Sequence, residues 1–259
     1  MTGPALRVSG LGLRFGSVVA FEDVNFSVEP GELFAVIGPN GAGKTSLFNV
    51  LSRVYTPSAG SVRLGDRDLL ALKARQLAAA GVGRTFQNLA LYGDMTVLDN
   101  VLIGRHHLMR SGFMAGGLWF GRARREERVH REAAREALAF VGAESCADAR
   151  PKALPYGTRK KIELARALAM EPGLLMLDEP VAGMSEAERA EITELVQRVH
   201  RERGLTMLLV EHDMGMVMQV AQRVLVLDFG RQIACDVPAV VQRDPEVIRA
   251  YLGEELQAA

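Results

Sequence analysis

The chain has 259 residues, 48% hydrophobic and 24% charged, and its 31 Lys and Arg balance its 31 Asp and Glu. Those proportions fit a globular protein of one large domain or two small ones, and zero net charge excludes a global basic footprint for nucleic acid or an acidic membrane. No uncharged apolar run approaches the ~18 residues a helix needs to cross a bilayer, so the chain is not expected to cross a membrane by itself.

Met1-Thr2-Gly3-Pro4-Ala5 lacks the basic-then-apolar order of a secretory signal. Cys146 and Cys235 stand far apart, without the spacing of a zinc site or a disulfide framework, and read as small buried apolar residues.

In chain order, residues 6–28 have strand character, with Val18–Phe21 and Val24–Val28 separated by polar residues. A small, largely antiparallel sheet follows from this. Phe15 stands there in a Leu-Arg-Phe-Gly setting, where an exposed aromatic could stack on a purine base and a buried one would serve the core. After the turn Glu29-Pro30-Gly31, residues 32–37 read as a short buried strand and residues 45–51 as a helix.

Between strand and helix stands Gly38-Pro39-Asn40-Gly41-Ala42-Gly43-Lys44-Thr45, followed by Ser46, a complete G-x-x-x-x-G-K-[ST] phosphate-binding loop. Its glycines let successive N–H groups curl inward, and the helix N-terminus adds a partial positive charge of roughly half a unit. Residues 38–46 are therefore expected to hold a nucleoside triphosphate, with Lys44 on the β- and γ-phosphates and the Thr45 hydroxyl on Mg²⁺. A glycine-rich turn that binds nothing would leave the lysine and the hydroxyl unexplained.

From Leu89 to Ala153 the pattern turns helical, first over 96–104 and then over 124–141. The second stretch carries Val129, Ala133, Ala137, Leu138 and Val141 at helical spacing, with Glu127/Arg131 and Arg128/Glu132 as pairs four residues apart. Interleaved glutamates make its arginines a solvated face rather than a nucleic-acid patch. Residues 111–120 are apolar and glycine-rich, either an exposed contact loop or a hairpin packed on the domain.

Residues 174–178, Leu-Leu-Met-Leu-Asp, form a buried strand ending in an acid, with Glu179 next. An acid so placed is where phosphate-loop ATPases hold Mg²⁺, and a carboxylate beside it can orient the attacking water and take its proton. Ser185-Glu186-Ala187-Glu188 opens a helix over 186–203 as a capping box, residues 206–210 form another buried strand before Glu211-His212-Asp213, and 224–227 form a further one. Apolar strands alternating with amphipathic helices predict a parallel sheet covered on both faces, with Gly38, Asp178 and His212 at its carboxyl ends.

Taken together these motifs resemble the nucleotide-binding subunits of ATP-binding cassette (ABC) transporters. The family's glutamine loop is matched by Gln87 in Arg84-Thr85-Phe86-Gln87-Asn88, its signature by Leu154-Pro155-Tyr156-Gly157-Thr158 before a helix over 159–170, and its switch histidine by His212. The resemblance implies an α/β fold, a P-loop NTPase (ABC ATPase) core with a parallel sheet, an N-terminal antiparallel β-subdomain and a helical subdomain. It implies one nucleotide-binding domain, with β-subdomain and core over about 1–88 and 164–236, helical and signature subdomain over about 89–163, and a helical tail over about 237–259.

By the same resemblance ATP and Mg²⁺ are the cofactors. Phe15 stacks on adenine, Thr45, Gln87 and Asp178 serve the metal, Glu179, Gln87 and His212 are catalytic, and Tyr156, Gly157 and Thr158 reach the γ-phosphate held by a second ATPase subunit. Integral-membrane permeases and, through them, a substrate-binding protein complete the implied assembly, at the cytoplasmic face of the inner membrane and without nucleic acid. Pro155 and Thr158 replace the signature's usual serine and glutamine, which favours a heterodimer over a homodimer, and Ser185 replaces the usual aspartate or asparagine. The Arg-Thr-Phe-Gln-Asn segment and the tail 247–253 are similar to LivG-type ATPases of branched-chain amino acid importers. Related cassettes for urea, amides or lipopolysaccharide, and soluble non-transport cassettes, are the alternatives.

Overall fold

A strand buried at every position needs both its faces covered, and three such strands set this architecture. The computed structural model describes residues 3–85, 91–109 and 122–257. In chain order it has β1 (Leu6–Phe15), β2 (Val18–Val28), β3 (Leu33–Ile37), α1 (Lys44–Leu51), β4 (Ala59–Leu64), β5 (Arg67–Asp68) and β6 (Val82–Arg84). There follow α2 (Val97–Gly104), α3 (Arg122–Phe140), α4 (Tyr156–Ala169), β7 (Leu174–Asp178), α5 (Glu186–Arg203) and β8 (Thr206–Val210). The chain continues through α6 (Met214–Val220), β9 (Arg223–Asp228), β10 (Arg231–Asp236), α7 (Pro238–Val241) and α8 (Pro245–Gln257).

Six strands form one sheet in the order β10-β9-β3-β8-β7-β6, parallel except for β10, and four form an antiparallel sheet in the order β2-β1-β4-β5. All residues of β3, β7 and β8 are buried. Their side chains alternate between two cores, as a period of two requires. Phe34 and Val36 of β3 join Leu208 and Val210 of β8 in packing on α1 and the antiparallel sheet, through Phe48, Leu51, Leu11 and Phe21. Leu33, Ala35 and Ile37 point the other way, into α2 to α6, where Val101, Leu138, Ile162, Val196 and Val217 meet.

Three expectations change. β2 runs unbroken through Glu22-Asp23, because irregular register with β1 and a left-handed Asp23 (φ 48°) absorb the polar residues as bulges, and Asn25 Nδ2 donates to Asp23 O and Oδ1. Ala137, Leu138 and Val141 are buried as expected, but in the earlier turns of α3 the buried positions are His130 and Ala134, while Val129 lies exposed and Ala133 is partly so. Arg105 explains the rotation, since its Nε donates to His130 Nδ1 at 3.0 Å and its Nη1 to Ala169 O at 2.9 Å, giving the buried imidazole a partner. Cys146 and Cys235 are only half-buried, and both are free thiols.

The segment before α2 is held from within by a buried amide. Asn100 is fully buried, accepts from Tyr92 N at 2.7 Å and donates to Tyr92 O and Thr96 O, which leaves Tyr92 exposed on a fixed loop. No helix among the described residues is long and apolar enough to cross a membrane.

Replacing Asn100 with Ala removes the acceptor of the Tyr92 N–H and a donor to Tyr92 O and Thr96 O, and should lower stability by about 2 kcal/mol in urea unfolding, with faster hydrogen exchange at the Tyr92 amide.

Candidate functional site

Because β9, β3, β8, β7 and β6 run parallel, their carboxyl ends share one edge, and polar groups that the covered faces exclude emerge there. The loop from Gly38 to Gly43 leaves β3 at this edge and enters α1, whose N-terminus has no side-chain cap and no acidic residue in its first turn. Its first N–H groups therefore face the loop interior without a competing carboxylate, the arrangement that attracts phosphate. Two glycines are obligatory. A Cβ on Gly38 (φ 148°) would stand 2.0 Å from Leu227 O, and one on Gly43 (φ 100°) 2.7 Å from Ala20 O. Lys44 is 7% exposed, and its Nζ donates to Gly38 O at 2.6 Å and Pro39 O at 2.8 Å, so the ammonium sits across the loop mouth. Asn40, Gly41 and Thr45 are exposed, Ser46 is partly so, and Pro39 and Ala42 are buried beneath them.

Asp178 ends β7 with 1% exposure. Its Oδ2 takes the Arg84 guanidinium at 2.6 Å and its backbone N–H donates to Thr85 Oγ1 at 3.3 Å, while Oδ1 accepts no hydrogen bond among the described residues. A buried carboxylate oxygen left over in this way, with a hydroxyl available on the first turn of α1, is a donor set that suits a hard cation. The described residues contain no cluster of three or more His, Cys, Asp or Glu able to hold a metal.

Glu179 follows in the left-handed region (φ 45°), fixed by its N–H donating to Val210 O at 2.9 Å. A non-glycine residue in this region costs of order 1–3 kcal/mol and persists where its surroundings over-determine it. The turn aims the Glu179 carboxylate past the strand end, where Oε1 lies 3.9 Å from His212 Nδ1. His212 is more than half exposed. Beneath both lies Glu211, fully buried, whose carboxylate accepts from Val181 N at 3.1 Å, His212 N at 3.0 Å and Asp213 N at 3.2 Å. Burial pushes the Glu211 carboxyl above its ordinary range, opposed by those backbone donors. One side chain thus clasps the loop after Glu179 to the loop that carries His212.

The signature residues lie elsewhere. Tyr156, Gly157 and Thr158 are not a loop before a helix, as expected, but the first turn of α4, with Pro155 as its N-cap and its preset φ starting the turn. Tyr156 Oη donates to Ala182 O at 3.3 Å, and the buried Gly157 amide, with the Ser185 hydroxyl and amide, holds the Glu188 carboxyl below its ordinary value. Ser185 caps α5 in a complete capping box with Glu188. The α4 N-terminus is therefore joined within the chain to the start of α5. Phe15 is 48% exposed at the end of β1, edge-on to Tyr55 at 5.2 Å, in the hairpin whose Ala20 abuts Gly43. Gln87 and the 111–120 insert lie outside the described residues.

The structure gathers residues 38–46, Asp178, Glu179 and His212 at one edge and sets Tyr156–Thr158 apart from them. Sequence reasoning missed Glu211 and Arg84. Each follows or ends a buried strand at the same edge, the signal that singled out Asp178, but the contacts that tie them to other elements, Arg84 to Asp178 and Glu211 to Val181, are long-range and left no local trace.

A family model described as "ABC transporter" matches residues 21–182, and one described as "Branched-chain amino acid ATP-binding cassette transporter" matches residues 231–256. The chain is 39% identical over 254 residues to the high-affinity branched-chain amino acid transport ATP-binding protein LivG of Escherichia coli (strain K12), spanning 98% of this chain and 100% of that protein. It is likewise 39% identical over 254 residues to BraF of Pseudomonas aeruginosa, with the same coverage. Among solved structures, the ADP conformation of MJ1267, an ATP-binding cassette of an ABC transporter, matches at a TM-score of 0.83 and 30% identity over 98% of this chain and 100% of that one.

Glu211 gives a test of the edge's electrostatics. Its raised value means that the folded protein keeps a proton the unfolded chain has released. Its contribution to stability is therefore full below the ordinary 4.5 and declines as pH rises through the raised value. Urea unfolding between about pH 4.5 and pH 8 should show that decline in the wild type and lose it in Glu211→Gln.

Proposed function

Because this chain belongs to the ABC transporter family as an ATP-binding subunit, we propose that it hydrolyses ATP with Mg²⁺ and uses the cycle to drive separate membrane permeases that import branched-chain amino acids. The observation that carries the reading is the single strand-end edge on which the phosphate loop, Asp178, Glu179 and His212 converge.

In this reading Phe15 stacks on adenine and the loop amides with Lys44 take the β- and γ-phosphates, as its position across the loop mouth favours. Thr45 and Asp178, with Gln87, hold Mg²⁺, which when bound neutralises charge between the phosphates. Glu179 orients a water against the γ-phosphate and accepts its proton, and His212, exposed beside it, steadies the γ-phosphate and the carboxylate. ATP and water give ADP and phosphate.

Tyr156, Gly157 and Thr158 act on the nucleotide of a second cassette. Their link to Ser185 and Glu188 supports a role in passing the state of one subunit to the other. The altered residues Pro155 and Thr158 favour a different second subunit. The region from Gln87 through Gly104, where Asn100 holds a loop with Leu91 and the exposed Tyr92, receives a permease helix in this reading, with the chain peripheral at the cytoplasmic face of the inner membrane. The names of the LivG and BraF relatives and the match over residues 231–256 support branched-chain amino acids as the cargo of the assembly, delivered by a substrate-binding protein.

The chemical step is tested with Glu179→Gln. Phosphate release should fall by about 10²-fold or more while affinity for a fluorescent ATP analogue is retained; turnover at the wild-type rate would remove Glu179 from the reaction.

A further inference from the structure

Arg84 is buried where three elements of the nucleotide edge meet. It is the last residue of β6, beside Met176 of β7, and the Thr85 N–H donates to Met176 O at 2.9 Å. Its Nη2 meets Asp178 Oδ2 at 2.6 Å, with the two side chains 10% and 2% exposed. Its Nη1 donates to Asn49 Oδ1 at 3.1 Å and to Ser52 Oγ, and the guanidinium carbon lies 5.8 Å from the centre of the Phe48 ring. Asn49 and Ser52 are four and seven residues after Thr45, so on a helix they share the face that carries the Thr45 hydroxyl. One planar fork therefore spans from the Asp178 carboxylate to the Thr45 face of α1.

We propose that Arg84 is a positioning residue that sets the spacing between Asp178 and Thr45 and so tunes the divalent-metal affinity of the site. This rests on the reading of those two residues as the holders of Mg²⁺. The fork occupies Oδ2, and the Thr85 hydroxyl anchors the same residue's amide, which leaves Oδ1, the oxygen that accepts no hydrogen bond among the described residues, as the one to meet a cation. A lysine could keep a charge beside Asp178 but not bridge to both Asn49 and Ser52, because it lacks the rigid, multidentate geometry. Outer partners that orient a metal-binding carboxylate typically change metal affinity by about 10–100-fold when removed. Arg84 also stands three residues before Gln87, so the bridge joins the metal-facing carboxylate to the segment from which Gln87 issues.

The test titrates Mn²⁺, followed by its electron paramagnetic resonance signal, into the full chain carrying a non-hydrolysable ATP analogue. Arg84→Lys should weaken Mn²⁺ affinity by about 10-fold while leaving analogue affinity in EDTA within about twofold. The double variant Asn49→Ala/Ser52→Ala, which spares the Arg84–Asp178 pair and needs no change at Arg84, should weaken Mn²⁺ in the same direction. Unchanged Mn²⁺ affinity in these variants, or an equal loss of analogue affinity in EDTA, overturns the proposal, the latter because it marks Arg84 as a strut for the whole nucleotide site. Asp178→Asn separates the premise from the inference. Wild-type Mn²⁺ affinity in that variant removes Asp178 from the metal site and takes the proposal with it, whereas a loss there with none in Arg84→Lys removes Arg84 alone.

Discussion

Burial of both faces of the six-stranded sheet is the constraint on which the remainder depends. With α1 and the antiparallel sheet on one side and α2 to α6 on the other, β3, β7 and β8 have no wet face, and their backbone groups are consumed by the ladder. Polar groups of these strands are therefore confined to the strand ends. The phosphate loop after Gly38 and the carboxyls of Asp178 and Glu211 stand at one set of those ends, brought together by parallel register. The burial of each alternating side chain, rather than any polar contact, holds the edge in place.

Charges on a buried edge are stable only if each is compensated, and the compensation here doubles as a wiring plan. Arg84 answers Asp178, loop carbonyls answer Lys44, and backbone amides from two loops answer Glu211. Losing one partner of a buried ion pair such as Arg84–Asp178 typically costs about 3–5 kcal/mol, and orphaning a buried polar group about 1–3 kcal/mol. Because the partners come from different elements, a shift at one loop is felt at its neighbour. The α4 N-terminus extends the pattern outward, through Tyr156 to Ala182 and Gly157 to Glu188, to the segment that follows Glu179.

Much of this was legible in the sequence where local physics dominates. The strands 174–178 and 206–210 and the helix 186–203 have the bounds that apolar runs and the Ser185 capping box imply, and the phosphate loop announces its strand and helix. Legibility failed where a distant residue decides. The face α3 buries is set by Arg105 meeting His130, the unbroken β2 by bulges against β1, and the early start of α4 by the preset backbone of Pro155. Arg84 and Glu211 were invisible for the same reason, since Asp178 lies 94 residues from the first and Val181 30 from the second. Gln87 could be named from its motif alone, because it falls outside the described residues.

A transporter subunit and a free ATPase differ in what this edge is attached to. The most direct measurement is to tag the chain in its native host, solubilise the membranes gently and identify by mass spectrometry what co-purifies. A transporter subunit should bring down integral-membrane permeases together with a second cassette subunit, and their binding protein would name the cargo. Recovery from the soluble fraction alone, with no membrane partner, would contradict the transporter reading.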